Sequence, residues 1–288
     1  MFIVGSERMT KIKIVTDSTA DLSEKQIKEL GISVVPLSIT IDGETFLDRI
    51  DITPQEFLKR MKQSVELPKS SQPAVGHFVE LYDQLGSDGS EIISIHMTAG
   101  MSGTVASAEN AAKLSEANVT VIDSMYISRA LAFQVLEAAK MAKNGHTKEE
   151  ILERIEEIRK NSTLFVTVDT LDNLVKGGRI GRGKALIGSL LNIKPIASLQ
   201  DGVYTPVSKV RSHSQIVKYL SKKFAEDVSN KSIKGVAIAQ VDALELAANL
   251  KEAIKKLTGY VEVDVVETTP VISTHTGPGA IGFMYYAE

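Results

Sequence analysis

The sequence predicts an α/β protein, with an N-terminal domain on a doubly wound, mostly parallel sheet and a C-terminal α+β domain with antiparallel strands. Three observations carry this expectation. Short apolar runs alternate with amphipathic segments through about the first 160 residues, which is the pattern of repeated β-loop-α units. The pattern then changes, and two apolar runs flank Asp201-Gly202, a hairpin signal. The chain has 288 residues, beyond the usual length of one domain. We therefore expect two domains, 11–160 and 161–288.

The elements follow in order. Met1-Phe2-Ile3-Val4 is apolar but too short for the core of a secretory signal, and a second methionine follows at Met9. Residues 1–10 read as an early start codon or tag remnant, outside the fold. Lys13-Ile14-Val15-Thr16 is a buried strand entering a loop at Asp17-Ser18. Asp21 and Glu24 have capping-box spacing, which predicts a helix over about 22–30 that Gly31 ends. Residues 34–41 read as the next strand, turned by Asp42-Gly43. Thr53-Pro54-Gln55-Glu56 starts another helix, with proline at its first position and glutamate closing the box. Lys69 to Pro73 is a polar loop before a helix over about 75–85. A strand at 91–96 leads into a glycine-rich loop, 98–104, and an alanine-rich helix through Lys113. A strand at 119–122 and a long amphipathic helix at 128–143 complete the first part.

Thr147 and Glu150 then cap a helix to about Lys160, and 164–168 is a strand. A short helix at 171–176 stops at Gly177-Gly178, and Arg179 to Lys184 is a basic loop spaced by glycines. After the hairpin come a helix over about 214–225, a strand at 235–240, a helix at 244–257 and strands at 261–266 and 281–286. The last two strands bracket a loop carrying His275-Thr276-Gly277-Pro278-Gly279.

Hydrophobic residues make up 43% of the chain and charged residues 24%, enough apolar material for a real core. A net charge of -3 offers nothing to offset phosphate repulsion, which argues against nucleic acid. The absence of cysteine excludes a disulfide framework and a thiolate metal site, and it fits a cytoplasmic protein. No segment is long and apolar enough to span a bilayer. There is no Gly-x-Ser-x-Gly elbow, no Walker lysine loop and no zinc-type histidine spacing, so neither metal nor cofactor is expected.

Ligands of open α/β sheets gather at the carboxyl ends of the strands. Three polar loops qualify: Asp17-Ser18-Thr19, Ser70-Ser71-Gln72, and Gly100 to Thr104 with Ser102 and Gly103 inside it. Each precedes a helix whose N-terminus supplies amide donors, so together they suit one carboxylate or phosphate headgroup. Each also has an ordinary account, since aspartate and serine cap helices and tie down loops. His275 stands among hydroxyls and glycines, where an imidazole either meets a ligand or bonds to backbone. Arg179, Arg182 and Lys184 form a cationic loop, and Arg211 follows a strand end. They suit solvent, or an acidic or phosphate-bearing partner.

Six motifs in order resemble the DegV family: Asp17-Ser18-Thr19-Ala20-Asp21, Lys69-Ser70-Ser71-Gln72-Pro73, Met101-Ser102-Gly103-Thr104, Gly177-Gly178-Arg179-Ile180, Lys209-Val210-Arg211 and the loop around His275. Ser70 stands where that family usually has threonine, which keeps the hydroxyl and loses a methyl. The resemblance covers Lys11 to the C-terminus. It implies a bacterial protein that buries a long-chain fatty acid. Some members serve as the binding subunit of fatty-acid kinase, presenting the carboxylate to a separate ATP-binding subunit. By motif, Ser70, Ser102 and His275 would meet the carboxylate. Asp17, Ser18, Ser71, Gly103, Thr104 and Thr276 would support the loops. Arg179, Arg182 and Arg211 would lie near the mouth, toward the kinase subunit or its phosphate.

Two other readings compete. One is a stand-alone esterase or phosphotransferase using Ser102 and His275, which needs a third group to orient the histidine. The other is an interaction protein that holds no lipid.

Overall fold

The first apolar run forms β1 (Ile12–Asp17), and α1 (Glu24–Leu30) returns the chain to β2 (Ser33–Val35), parallel to β1. In this computed structural model the described residues are 11–188 and 193–288, so the reading of residues 1–10 lies outside them. The cap of α1 is Ser23 rather than Asp21. The Ser23 hydroxyl accepts from the Gln26 amide, and the Gln26 side chain accepts from the Ser23 amide. Asp21 takes a left-handed conformation, φ 50°, and turns its carboxylate inward.

Residues 34–41 are not one strand. Proline has no N–H for a ladder, and Pro36 lets the chain leave the parallel sheet after Val35. It enters a separate antiparallel sheet as β3 (Ser38–Ile41), beside β4 (Glu44–Leu47). Helix α2 (Pro54–Gln63) has the expected Thr53–Glu56 box. The stretch expected as a polar loop then pairs with β3 as β5 (Lys69–Ser71), with Ser70 opposite Ile39. It is polar because it is a short edge strand.

Helix α3 (Val75–Gly86), β6 (Glu91–His96), α4 (Thr104–Leu114), β7 (Val119–Asp123) and α5 (Ser128–Lys143) fall close to their expected bounds. The parallel sheet has the order β2-β1-β6-β7. On one face α3 and α4 pack Phe78, Tyr82, Ala108 and Ala111 against Val15 and Ile92. On the other lies α5, buried without a break from Ser128 to Val135. Its first two turns are covered on every side, Arg129 and Gln134 included.

The cover comes from the second half. Helix α6 (Lys148–Asn161), capped by Thr147 and Glu150, leads into β8 (Ser162–Thr167) and α7 (Asp172–Lys176). A 3₁₀ turn, Gly181–Leu186, replaces the expected basic loop. The hairpin forms as β9 (Lys194–Ser198) and β10 (Thr205–Val210), followed by α8 (His213–Asp227), β11 (Ile233–Gln240) and α9 (Leu244–Thr258). Then come β12 (Asp264–Glu267), α10 (Pro270–Thr276) and β13 (Ile281–Ala287). The six strands order as β10-β9-β8-β13-β11-β12, antiparallel except for β11 with β12. One face packs on α8 and α9 through Leu220, Phe224, Leu250 and Phe283. The other faces α5, so the fold is two sheets on either side of one buried helix. Two expectations shift. The strand expected at 261–266 pairs only from Asp264, and His275 lies in the last turn of α10 rather than in a loop. No helix among the described residues is long and apolar enough to cross a membrane.

Candidate ligand-binding site

The loops after β2 and β6, strand β5 and helix α10 enclose a cavity of about 330 Å³ with the hairpin half of the second sheet. Its polar lining comes from Ser70, Ser71, Gln72, Ser102, Arg179, His275 and Thr276, and its apolar lining includes Leu37, Met97, Ile127, Val166 and Val271. Ile127, Val166, Ile272 and Thr276 also border a smaller apolar pocket of about 30 Å³, which runs on toward Leu164, Val241 and Met284. One end of the space is therefore polar and the other is hydrocarbon-like.

Three elements bring the polar groups together. The edge position of β5 points Ser70 at α10, and its Oγ lies 2.7 Å from His275 Nε2. Helix α10 starts at Thr269, whose hydroxyl accepts from Val271 N at 3.1 Å, with Pro270 at the first helical position. One and a half turns on, the helix delivers His275 and Thr276. Burial, and then the charge of Arg179, hold the His275 imidazole down to about 4, so it is neutral near pH 7. Its Nδ1 is buried without a partner among the described residues. That nitrogen lies against Gly177, where a Cβ would stand 2.3 Å away.

Ser102 enters from the loop after β6. Its hydroxyl lies 2.8 Å from Thr104 Oγ1 and accepts from Thr104 N at 3.3 Å, so it also ties down the start of α4. A Cβ at Gly103 would run into the amide end of Gln72, which would have to move aside. Gln72 in turn donates to Ser107 Oγ at 2.8 Å, which locks the two hydroxyl loops together. Gln72 is thus a cavity residue that the loop motif contained without any signal of its role.

The other expected residues divide. Asp17 does not line the cavity. It is fully buried and accepts from Thr19, from Met97 N at 2.9 Å and from His96 Nδ1 at 3.1 Å. Burial alone would raise its pKa, and the bonds from His96, Thr19 and Met97 hold it below the ordinary value. Ser18 is likewise outside, donating to Asp48 Oδ2 at 2.6 Å and accepting from Leu37 N at 3.1 Å. Both hold the backbone from which Leu37 and Met97 reach the cavity.

Arg179 differs from expectation. Gly178, at φ 73°, turns the chain after α7 so that Arg179 crosses to the cavity wall. Its Nε donates to Met101 O at 3.1 Å and its Nη1 to Gly177 O at 2.6 Å. Arg182 and Arg211 are exposed and outside the cavity, and Arg182 is paired with Asp201 at 2.9 Å.

The arrangement that looks most like a hydrolase triad is elsewhere. Ser94 Oγ lies 2.7 Å from His96 Nε2, and Asp17 binds the other ring nitrogen. All three are fully buried, and Ser94 is also bonded to Tyr82 OH, so no substrate reaches them. In the cavity itself, His275 bonds to Ser70 rather than to Ser102. Among the described residues no group of three histidine, aspartate or glutamate side chains is placed to hold a metal.

Known proteins resemble this chain in sequence and in fold. A family profile described as "Uncharacterised protein, DegV family" matches residues 11–288. A DegV domain-containing protein of Listeria monocytogenes is 46% identical over 281 residues, covering 97% of this chain and all of that protein. One from Staphylococcus aureus is 43% identical over 276 residues, covering 96% of this chain and 99% of that one. Among solved structures, a DegV family protein of Thermus thermophilus, described by its fatty acid binding, superposes with a TM-score of 0.91 at 31% identity, covering 97% of this chain and 100% of that one. The Bacillus subtilis protein described as DegV, a fatty acid binding protein, gives 0.88 at 33%, with the same coverage. The chain belongs to the DegV family.

Proposed function

We propose that the chain binds a long-chain fatty acid in this cavity and presents the carboxylate to a separate ATP-dependent kinase subunit, which forms the acyl phosphate. The observation that carries the reading is the polarity gradient, from Ser70, Ser102 and His275 at one end to Leu164, Val241 and Met284 at the other. Residues 11–160 supply most of the headgroup loops, and 161–288 cover the acyl chain. A sixteen-carbon chain gains roughly 12 kcal/mol gross at ~0.8 kcal/mol per buried methylene. The tail therefore supplies the affinity and the headgroup needs only orientation. Ser70, Ser102 and the neutral His275 orient it without strongly stabilising its charge. Arg179, tethered to two backbone carbonyls, adds a positive field at the same end. Arg182 and Arg211 stay outside, where a partner would meet them.

The stand-alone enzyme reading is disfavoured by the histidine. No carboxylate orients its Nδ1 among the described residues, and an imidazole that protonates only near 4 is a weak general base. The test is reconstitution. Palmitate at a hundred times its dissociation constant should stabilise the lipid-free protein by about 2.7 kcal/mol, seen as a raised melting temperature. Acyl phosphate should form only when a kinase subunit and ATP are both present. Arg182→Ala and Arg211→Ala should slow that step with fatty-acid affinity unchanged, and salt should mimic the defect. No thermal shift with palmitate or oleate, or ATP turnover by the chain alone, would contradict the proposal.

A further inference from the structure

Tyr204 precedes β10, is 1% exposed and borders the cavity. Its hydroxyl is buried and has no hydrogen-bond partner among the described residues. Three other tyrosines, Tyr82 and Tyr285 buried and Tyr126 half-buried, behave differently. Tyr82 is bonded to Ser94 Oγ, Tyr126 donates to Ser162 O and Tyr285 donates to Asp227, each at 2.7 Å. Buried tyrosines ordinarily find such partners, because an unpaired hydroxyl in an apolar interior is costly.

The residue is also held rigidly. Gly181 approaches so closely that a Cβ there would lie 2.7 Å from Tyr204 O, and Arg182 N donates to that oxygen at 2.9 Å. Gly183 passes over the ring, where a Cβ would stand 3.0 Å from Cε1. The glycines of the basic segment thus seat Tyr204 in one orientation. Phenylalanine would fill the same space without an orphan hydroxyl.

We infer that the Tyr204 hydroxyl donates a hydrogen bond to an oxygen of the bound fatty acid, making Tyr204 a specificity residue of the cavity. The inference rests on the fatty-acid reading. Burial pushes the phenol pKa up, so the group stays neutral and keeps its proton to donate. Tyr204 lines the chamber that holds Ser70, Ser102 and His275 and is absent from its apolar extension. A plain methylene chain has no acceptor. The partner is the carboxylate, or an oxygen substituent on the chain close to it.

The experiment compares lipid-stripped wild-type protein with Tyr204→Phe, each titrated with palmitic acid and with 3-hydroxypalmitic acid, and each melted empty. The expected variant melts at or above the wild type when empty and binds at least one acid about tenfold more weakly. Weaker binding of both acids assigns the acceptor to the carboxylate. Weaker binding of the hydroxylated acid alone assigns it to the chain. Unchanged affinity for both would overturn the inference. So would an empty variant that melts lower, since the hydroxyl would then have a protein partner. A wild-type protein that takes up neither acid removes the fatty-acid reading, and this inference with it.

Discussion

Ser70 and Ser102 each have a partner within the protein, so a role toward a ligand has to be separated from a structural one atom by atom. Ser70 Oγ meets His275 Nε2, while Ser102 Oγ ties down Thr104 at the start of α4. Ser102→Ala should cost about 1.5–3 kcal/mol of carboxylate binding, a tenfold to hundredfold loss of affinity by titration, with the fold intact. Unchanged affinity would leave Ser102 as a helix cap alone. His275 is best tested by pH. Its folded pKa, about 4, lies below its ordinary value of 6.5, so the unfolded chain binds the proton more readily between them. Its neutral burial is therefore compatible with full stability above 6.5, and stability is lost as pH falls toward 4. Urea unfolding of lipid-free His275→Gln should show a smaller loss than wild type between pH 7 and pH 4.5. Parallel losses would mean that the imidazole is not desolvated.

At the scale of elements, α10 carries the site, and two buried aspartates hold its start. Asp21 accepts from Thr269 N at 3.0 Å, from Thr268 Oγ1 at 2.7 Å and from Ser128 Oγ at 2.5 Å. Asp48 accepts from Ser18 and Thr269 hydroxyls, and its Oδ1 has no partner among the described residues. Burial raises both, Asp48 to about 6 from 3.8, with the charge of Asp21 adding to it. The sign is opposite to that of His275. The folded state holds the Asp48 proton more tightly, so this contribution is present below about 4 and lost as pH rises through 6, on the order of 3 kcal/mol. Asp48→Asn should gain on wild type from pH 4.5 to 7.5 in melts of lipid-free protein. A constant difference across that range would refute the desolvated carboxylate. Helix α10 forms where the sequence leads one to expect a loop. Its seven residues are too few for periodicity to register, and Thr and Val favour strands. Strand β5 has no apolar alternation at all, and only its pairing with β3 makes it a strand.

For the whole molecule, the β-loop-α alternation and the Asp201-Gly202 hairpin foretold the parallel sheet and the antiparallel character of the six-stranded one, since each signal lies within a few dozen residues. Neither foretold the three-stranded sheet of β4, β3 and β5. The cavity was not legible from spacing. It exists because Ser70 meets His275 across 205 residues of sequence, and because Thr98 Oγ1 reaches Gly202 O at 2.9 Å to join the two halves. Nor was Arg179 legible as a cavity residue, since the turn at Gly178 decides where its side chain goes. Ser70 and Ser102, the hydroxyls of two of the family motifs, both border the cavity. The most direct measurement of the central claim is mass spectrometry of organic extracts from protein purified out of a lipid-containing host, with the lipid quantified against chain. The account predicts about one fatty acid per chain. An extract with no fatty acid, from a protein that also fails to take up added palmitate, would contradict it.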